Sequence, residues 1–197
     1  YRANNAPIKK GDLLLCDAGA EYGFYASDIT RTWPTNGRFS KAQRELYDIV
    51  LAAQLECIGK AAVGVAYDVI HQAAVQVITD GLLSLGLLKG SLKKNIESAA
   101  YKKFYMHKTG HWLGLDVHDV GEYKLGGSSR LLEPGMVFTV EPGLYIAPGT
   151  PGVPDKYQGI GIRIEDDVLM TAKGPEVISD GVPKTVDAIE SLMASAR

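Results

Sequence analysis

Between Thr139 and Asp167, this chain puts charged side chains into strand-like sequence that otherwise reads as core. The stretch opens with Val137-Phe138-Thr139-Val140-Glu141-Pro142-Gly143 and closes with Gly159-Ile160-Gly161-Ile162-Arg163-Ile164-Glu165-Asp166-Asp167. β-Branched and aromatic residues alternate with others at period two, so each end predicts a strand. Each strand carries a glutamate where an apolar residue would ordinarily sit. In the second, Ile160, Ile162 and Ile164 share one face, and Gly161, Arg163 and Glu165 share the other. That polar face suits either a site or a half-exposed strand facing water.

A second stretch repeats the theme. Asp12 to Asp17 predicts a buried strand, Gly19 to Tyr25 a turn region, and Ala26 to Trp33 the returning strand of a loosely connected hairpin. Period two puts Asp17 with Leu13 and Leu15, and Asp28 with Thr30 and Thr32.

Helices follow. Ser40 is a candidate N-cap for a helix to about Lys60, with Leu46, Ile49, Val50, Ala53 and Cys57 as its buried stripe. A second helix runs from Tyr67 or Asp68 to about Leu85. His71 lies on its flank and reads as structural or solvated. Leu92 to Phe104 predicts a short helix, and Thr185 to Ala196 a terminal one. Ala147 to Gln158, rich in Pro and Gly, reads as a loop over the site, and Val168 to Thr171 as an edge strand. A helix-rich middle followed by strands and a terminal helix indicates an α+β domain.

Three of the chain's 4 histidines, His107, His111 and His118, fall between Tyr105 and Gly121. Glycines break any helix there, and Trp112, Leu113, Leu115 and Val117 are interleaved. Histidine is both a common metal ligand and the side chain that titrates near neutrality, so this reads as a loop built around a site.

Composition excludes several classes. A formal charge of -2 with scattered Lys and Arg offers no basic face for nucleic acid. No apolar run approaches the ~20 residues of a membrane helix. Cys16 and Cys57 suit free thiols in a reducing, cytoplasmic setting better than a disulfide scaffold. At 197 residues, one domain over 1–197 is expected. The chain opens at Tyr1 and runs at once into a strand, so a domain lacking its N-terminal part is expected.

The candidates for chemistry are Asp17, Asp28, His111, Glu141 and Glu165. Carboxylates cannot gather in a poorly hydrated place without countercharge; either their pKa values rise or cations join them. Two divalent cations would balance four carboxylates. Oxygen-rich ligation without thiolate suits Mn²⁺, and also Fe²⁺, Co²⁺ or Zn²⁺. A pair of such ions ~3.5–4 Å apart polarises a carbonyl and activates a shared water, which is hydrolase chemistry.

The strings DAGAEYGFYASDITRTW, HKTGHWLGLDVHDVG, VEPGLY and GIGIRIEDD, in that order, resemble the metallopeptidases of the pita-bread fold. The family type most similar is the bacterial aminopeptidase P (Xaa-Pro aminopeptidase), with prolidase next. The resemblance implies a curved, mostly antiparallel sheet with helices on its outer face. It implies that Asp28 and Glu165 bridge two metals, that Asp17 completes one and that His111 with Glu141 completes the other. Glu141 would also take a proton from the bridging water. His107 and His118 match non-ligand histidines that contact substrate, and Arg163 an arginine near the proline side. The implied substrate is a peptide with proline second, cleaved after its first residue by a metal-bridging hydroxide.

The family pattern has a further histidine before the position of Tyr1, an initial helical stretch and an N-terminal domain that helps close the site and build a homo-oligomer. Exposed apolar surface is expected where those parts would pack. Prolidase is the competing activity. A catalytically impaired binding module and a metal-free creatine hydrolase of the same fold are opposed by the five ligand positions.

Overall fold

The computed structural model describes residues 5–196. The chain begins with β1 (Leu13–Ala18), passes through a small ribbon of β2 (Glu21–Tyr22) and β3 (Tyr25–Ala26), and returns as β4 (Ile29–Pro34). β1 and β4 pair antiparallel with Asp17 opposite Thr30 and Cys16 opposite Arg31. The expected loose connection is therefore itself a ribbon, and Asp28 sits just before the returning strand.

Helix α1 (Lys41–Lys60) starts where its sequence dictates. Ser40 Oγ accepts the Gln43 N–H, and Gln43 Oε1 accepts the Ser40 N–H, so two orphan donors are satisfied reciprocally. Leu46, Val50, Ala53 and Cys57 are buried as expected, while Ile49 is only half-buried. Helix α2 (Asp68–Ser84) packs on α1 through Ile70, Ala74, Ile78 and Leu82. The helix expected from Leu92 to Phe104 is interrupted: α3 (Leu92–Glu97) stops before Ala99, whose φ of 53° is left-handed, and a 3-10 turn over Ala100–Lys103 follows.

The strands continue with the short ribbon β5 (Lys124–Leu125) and β6 (Ser128–Ser129), then β7 (Val137–Val140), β8 (Gly143–Tyr145), β9 (Gly161–Arg163), β10 (Asp166–Thr171) and β11 (Gly174–Val177). Every ladder among the described residues is antiparallel, in groups of two or three strands. The two long strands read from the sequence are each cut in two. Glu141 lies between β7 and β8, and Glu165 between β9 and β10. Pro142 has no N–H to donate, so a ladder cannot run through it.

β10 is also not an edge. It lies between β7 and β11, with Val168 opposite Phe138 on one side and Val177 on the other. The loop from Ala147 to Gln158 sits beside the site rather than over it. Ala147, Pro148, Thr150 and Pro151 border a smaller hollow shared with Met106 and Tyr145.

Phe138, Val140, Leu144, Ile162, Ile164, Val168 and Met170 are fully buried and meet the α1–α2 layer in one core. Each such side chain contributes about 1.5–3 kcal/mol through removal from water. Helix α4 (Val186–Ser195), capped by Thr185, packs Val186 and Ile189 into the same core.

Candidate metal centre

The elements converge on one cavity of about 1600 Å³, whose wall includes Asp17, Asp28, His107, His111, His118, Glu141, Arg163 and Glu165. All eight residues singled out in the sequence therefore face a common space.

Backbone geometry sets each one. Thr30 holds Glu165 twice: its carbonyl accepts the Glu165 N–H at 3.1 Å, and its hydroxyl donates to Glu165 Oε2 at 2.5 Å. Asp28 is fixed from behind, its N–H donating to Asp167 Oδ2 at 3.1 Å. The segment before His111 lies against β7, with the Glu141 N–H donating to Thr109 O at 2.7 Å and the Thr139 N–H to His111 O at 2.9 Å. That approach requires Gly110, because a Cβ there would stand 1.9 Å from Thr139 O.

His111 is aimed by its own backbone. Its Nδ1 lies 3.0 Å from Trp112 O, which only an N–H can satisfy, so in the neutral ring a cation would meet, Nε2 carries the lone pair toward the carboxylates. Nε2 is 3.4 Å from Asp28 Oδ2 and 3.5 Å from Glu141 Oε1. His118 stacks on His111 with ring centroids 4.0 Å apart. Arg163 pairs with Asp17 and donates to Thr30 Oγ1 at 3.1 Å and to Tyr145 Oη at 3.1 Å. His107 meets Tyr145 Oη through Nε2 at 2.8 Å and Lys108 O through Nδ1 at 2.7 Å.

Three sets of side chains bring ligand atoms within 4.8 Å of one another: Asp17, Asp28 and Glu165; His111, Glu141 and Glu165; and Asp28, His111 and His118. The first two sets share Glu165 and contain all five ligand candidates.

The crowding shows in the acid–base chemistry. Burial, with the Glu141 and Asp28 charges, pushes Glu165 up to about 8. Burial lifts Glu141 to about 7 against the charges of His111 and Arg163. Asp17 is raised by burial, with Arg163 opposing. Burial would raise Asp28 too, but its contacts with His111 and Asp17 win, and it is lowered. His111 rises to about 9, since burial is outweighed by Asp28, the Trp112 carbonyl and Glu141.

A model of metallopeptidase family M24 matches residues 1–172. The chain belongs to this family. It is 50% identical over 193 residues to the Xaa-Pro aminopeptidase of Haemophilus influenzae, and 50% identical over 197 residues to that of Escherichia coli strain K12. These alignments cover 98% and 100% of this chain and 44% of each relative. Among solved structures, Pseudomonas aeruginosa aminopeptidase PepP superposes with a TM-score of 0.98 at 58% identity, over 100% of this chain and 44% of that one. A zinc-substituted E. coli aminopeptidase P in complex with product gives a TM-score of 0.95 at 50% identity, over the same shares. The chain thus spans 44% of the length of these curated relatives.

Membership agrees with the α+β, pita-bread architecture read from the sequence, and M24 proteins bind divalent metals. No helix among the described residues is long and apolar enough to cross a membrane.

Several residues at or behind this candidate centre were not legible as such. Tyr145, Thr30 and Thr109 carry no charge to betray them. Asp167 reads as the end of a strand. His71, read as structural or solvated, is half-buried on the cavity wall, with Nδ1 2.8 Å from Thr109 Oγ1.

Proposed function

We propose that this chain carries the two-metal centre of an aminopeptidase that removes the first residue from peptides with proline in second position. The observation that carries the reading is the pair of three-donor groups meeting at Glu165 in a cavity large enough for a peptide.

The side chains fit divalent cations. Burial pushes the pKa values of Glu165 and Glu141 up to about 8 and about 7, and among the described residues Arg163 is the one Lys or Arg side chain paired with these carboxylates, beside His111. The donors are carboxylate oxygens and one imidazole, with no thiolate, which suits Mn²⁺ first and Fe²⁺, Co²⁺ or Zn²⁺ as alternatives. Glu165 and Asp28 would be shared between the ions, Asp17 would complete one, and His111 with Glu141 the other. When bound, the ions supply Lewis-acid polarisation of the scissile carbonyl and a water of lowered pKa.

The protein's own groups do the rest. Glu141 takes the proton of the attacking water and returns it to the departing proline nitrogen. His118, exposed on the cavity side of His111, donates to the oxygen that gains charge. His107 and Arg163, joined through Tyr145, border the place of the proline side. The Xaa-Pro amide has no N–H, so recognition falls on ring shape and on carbonyl oxygens. The 50% identity to named Xaa-Pro aminopeptidases supports this specificity. A cytoplasmic setting, consistent with free Cys16 and Cys57, and self-association of the whole protein belong to the same proposal.

The test compares a Xaa-Pro-Xaa tripeptide, a Xaa-Pro dipeptide and a Xaa-Ala-Xaa tripeptide in the presence of Mn²⁺. Cleavage of the first alone is expected. Preference for the dipeptide would assign a prolidase, and preference for the alanine peptide would refute the proline reading.

A further inference from the structure

The direction of a hydrogen-bond chain fixes the state of His71. Tyr105 is fully buried, and its hydroxyl has one partner among the described residues, Thr109 Oγ1 at 2.5 Å. A buried phenol proton needs an acceptor, so Tyr105 donates and Thr109 accepts. The Thr109 hydroxyl proton then points to its other neighbour, His71 Nδ1 at 2.8 Å. That nitrogen must accept. A neutral imidazole has one N–H, and here it is on Nε2.

Nε2 has no protein partner among the described residues and is not among the buried polar atoms that lack one, so it keeps accessible surface. His71 lines the same cavity as the metal-site residues. Its position relative to Glu141 is set through Thr109, whose carbonyl accepts the Glu141 N–H at 2.7 Å. Burial, with the charges of Lys108, His107 and Lys102, lowers its pKa to about 4, so the ring stays uncharged in neutral solution. Asp68, one turn earlier on α2, is engaged by Gln72 at 3.1 Å. With its proton on Nε2, the ring can pair there only with an acceptor.

We propose that His71 is a substrate-contacting residue, its Nε2–H donating to an oxygen of the bound peptide. This rests on the peptidase reading above. The oxygen belongs either to a main-chain carbonyl or to the terminal carboxylate.

Two variants separate this role from mere support of Thr109. In His71→Asn, the amide oxygen takes the place of Nδ1 and keeps the Thr109 bond, but nothing reaches to the position of Nε2. In His71→Gln, the amide nitrogen restores an N–H at that reach. With a Xaa-Pro-Xaa tripeptide, KM should rise about tenfold in His71→Asn, the size of one lost hydrogen bond, and return toward the wild-type value in His71→Gln. A loss that persists with the C-terminal amide of the peptide assigns the carbonyl, and a loss confined to the free acid assigns the carboxylate.

An independent readout is the ¹H–¹⁵N spectrum of the His71 ring in the wild-type, metal-free chain, titrated with the same tripeptide. The Nε2–H form, shifted on peptide addition, is expected. A ring protonated on Nδ1, or one unmoved as the peptide saturates, overturns the inference even if the variants fail to fold. If the peptide is cleaved normally and His71→Asn matches wild type, only the His71 role fails. If the wild-type chain neither binds nor cleaves any Xaa-Pro peptide, the peptidase reading fails and takes His71 with it.

Discussion

Thr30 holds Glu165 with both its backbone and its side chain, at 3.1 Å and 2.5 Å, across a sequence separation of 135 residues. Glu165 is shared by the two candidate ligand groups, so one threonine on β4 sets where they meet. Thr30→Val keeps the shape and removes the donor. Glu165 then loses a bond that favours its charged form. Apparent Mn²⁺ affinity should fall about tenfold or more, since such a bond contributes ~1.5–3 kcal/mol. Thr30→Ser should restore it, as read by metal titration. Equal affinity in all three proteins would remove Thr30 from the account.

The metal-free protein should become less stable as pH rises. Glu141 and Glu165 have folded pKa values of about 7 and about 8, above the 4.5 of the unfolded chain, so between 4.5 and 8 these two groups hold more protons in the folded state, and His71, lowered to about 4, opposes them only below 6.5. His111, raised from 6.5 to about 9, extends the same slope to about pH 9. Divalent cations bind the deprotonated carboxylates, so they should stabilise more at pH 8 than at pH 5 and release protons on binding. Thermal melts with and without Mn²⁺ at both pH values read this, and metal stabilisation larger at pH 5 would contradict it.

Asp166 points away from the cavity into a buried network. It receives Arg31 at 2.7 Å, Gln54 at 2.6 Å, Ser179 at 2.7 Å and Lys184 at 2.5 Å. Burial raises its pKa, but these partners outweigh it and hold the carboxyl below its ordinary value. Asp166→Ala would strand two cations and should cost ~3–5 kcal/mol. Urea unfolding measures it; a midpoint shift worth under about 1 kcal/mol would show that the network is solvated.

Glu141→Gln should keep the fold and lower turnover at least about a hundredfold, the scale of a lost proton-transfer group. Gly110→Ala should act differently. A Cβ 1.9 Å from Thr139 O forces β7 and the His111 loop apart, so both stability and metal affinity should drop. If Gly110→Ala proved silent in both, the close packing that aims His111 would be wrong.

What was legible in the sequence follows from how local each cause is. The Ser40 cap, the α1 stripe and the antiparallel return of β4 depend on residues close along the chain. The ligand candidates were legible because carboxylates in apolar strands have no ordinary place. The break at Glu141 had a signal in Pro142, which was read as strand. The gap at Glu165 had none, because Ile160, Ile162 and Ile164 keep perfect alternation through it. β11 is only Gly174-Pro175-Glu176-Val177, too polar to stand out. His71 became a wall residue through a bond to Thr109, 38 positions away, which helical spacing cannot foresee. Asp166 and Asp167 adjoin Glu165, yet one anchors Arg31 and Lys184 and the other holds Asp28, and only the fold tells them apart.

The central claim is a pair of metal sites joined at Glu165, and the most direct measurement is Mn²⁺ stoichiometry together with tripeptide cleavage on one preparation. Two ions per chain, with cleavage of a Xaa-Pro-Xaa peptide that chelator abolishes and with both lost in Asp28→Ala, is the expected result. An Asp28→Ala protein that still binds two ions and cleaves the peptide at the wild-type rate, or a wild-type chain that binds none, would contradict it.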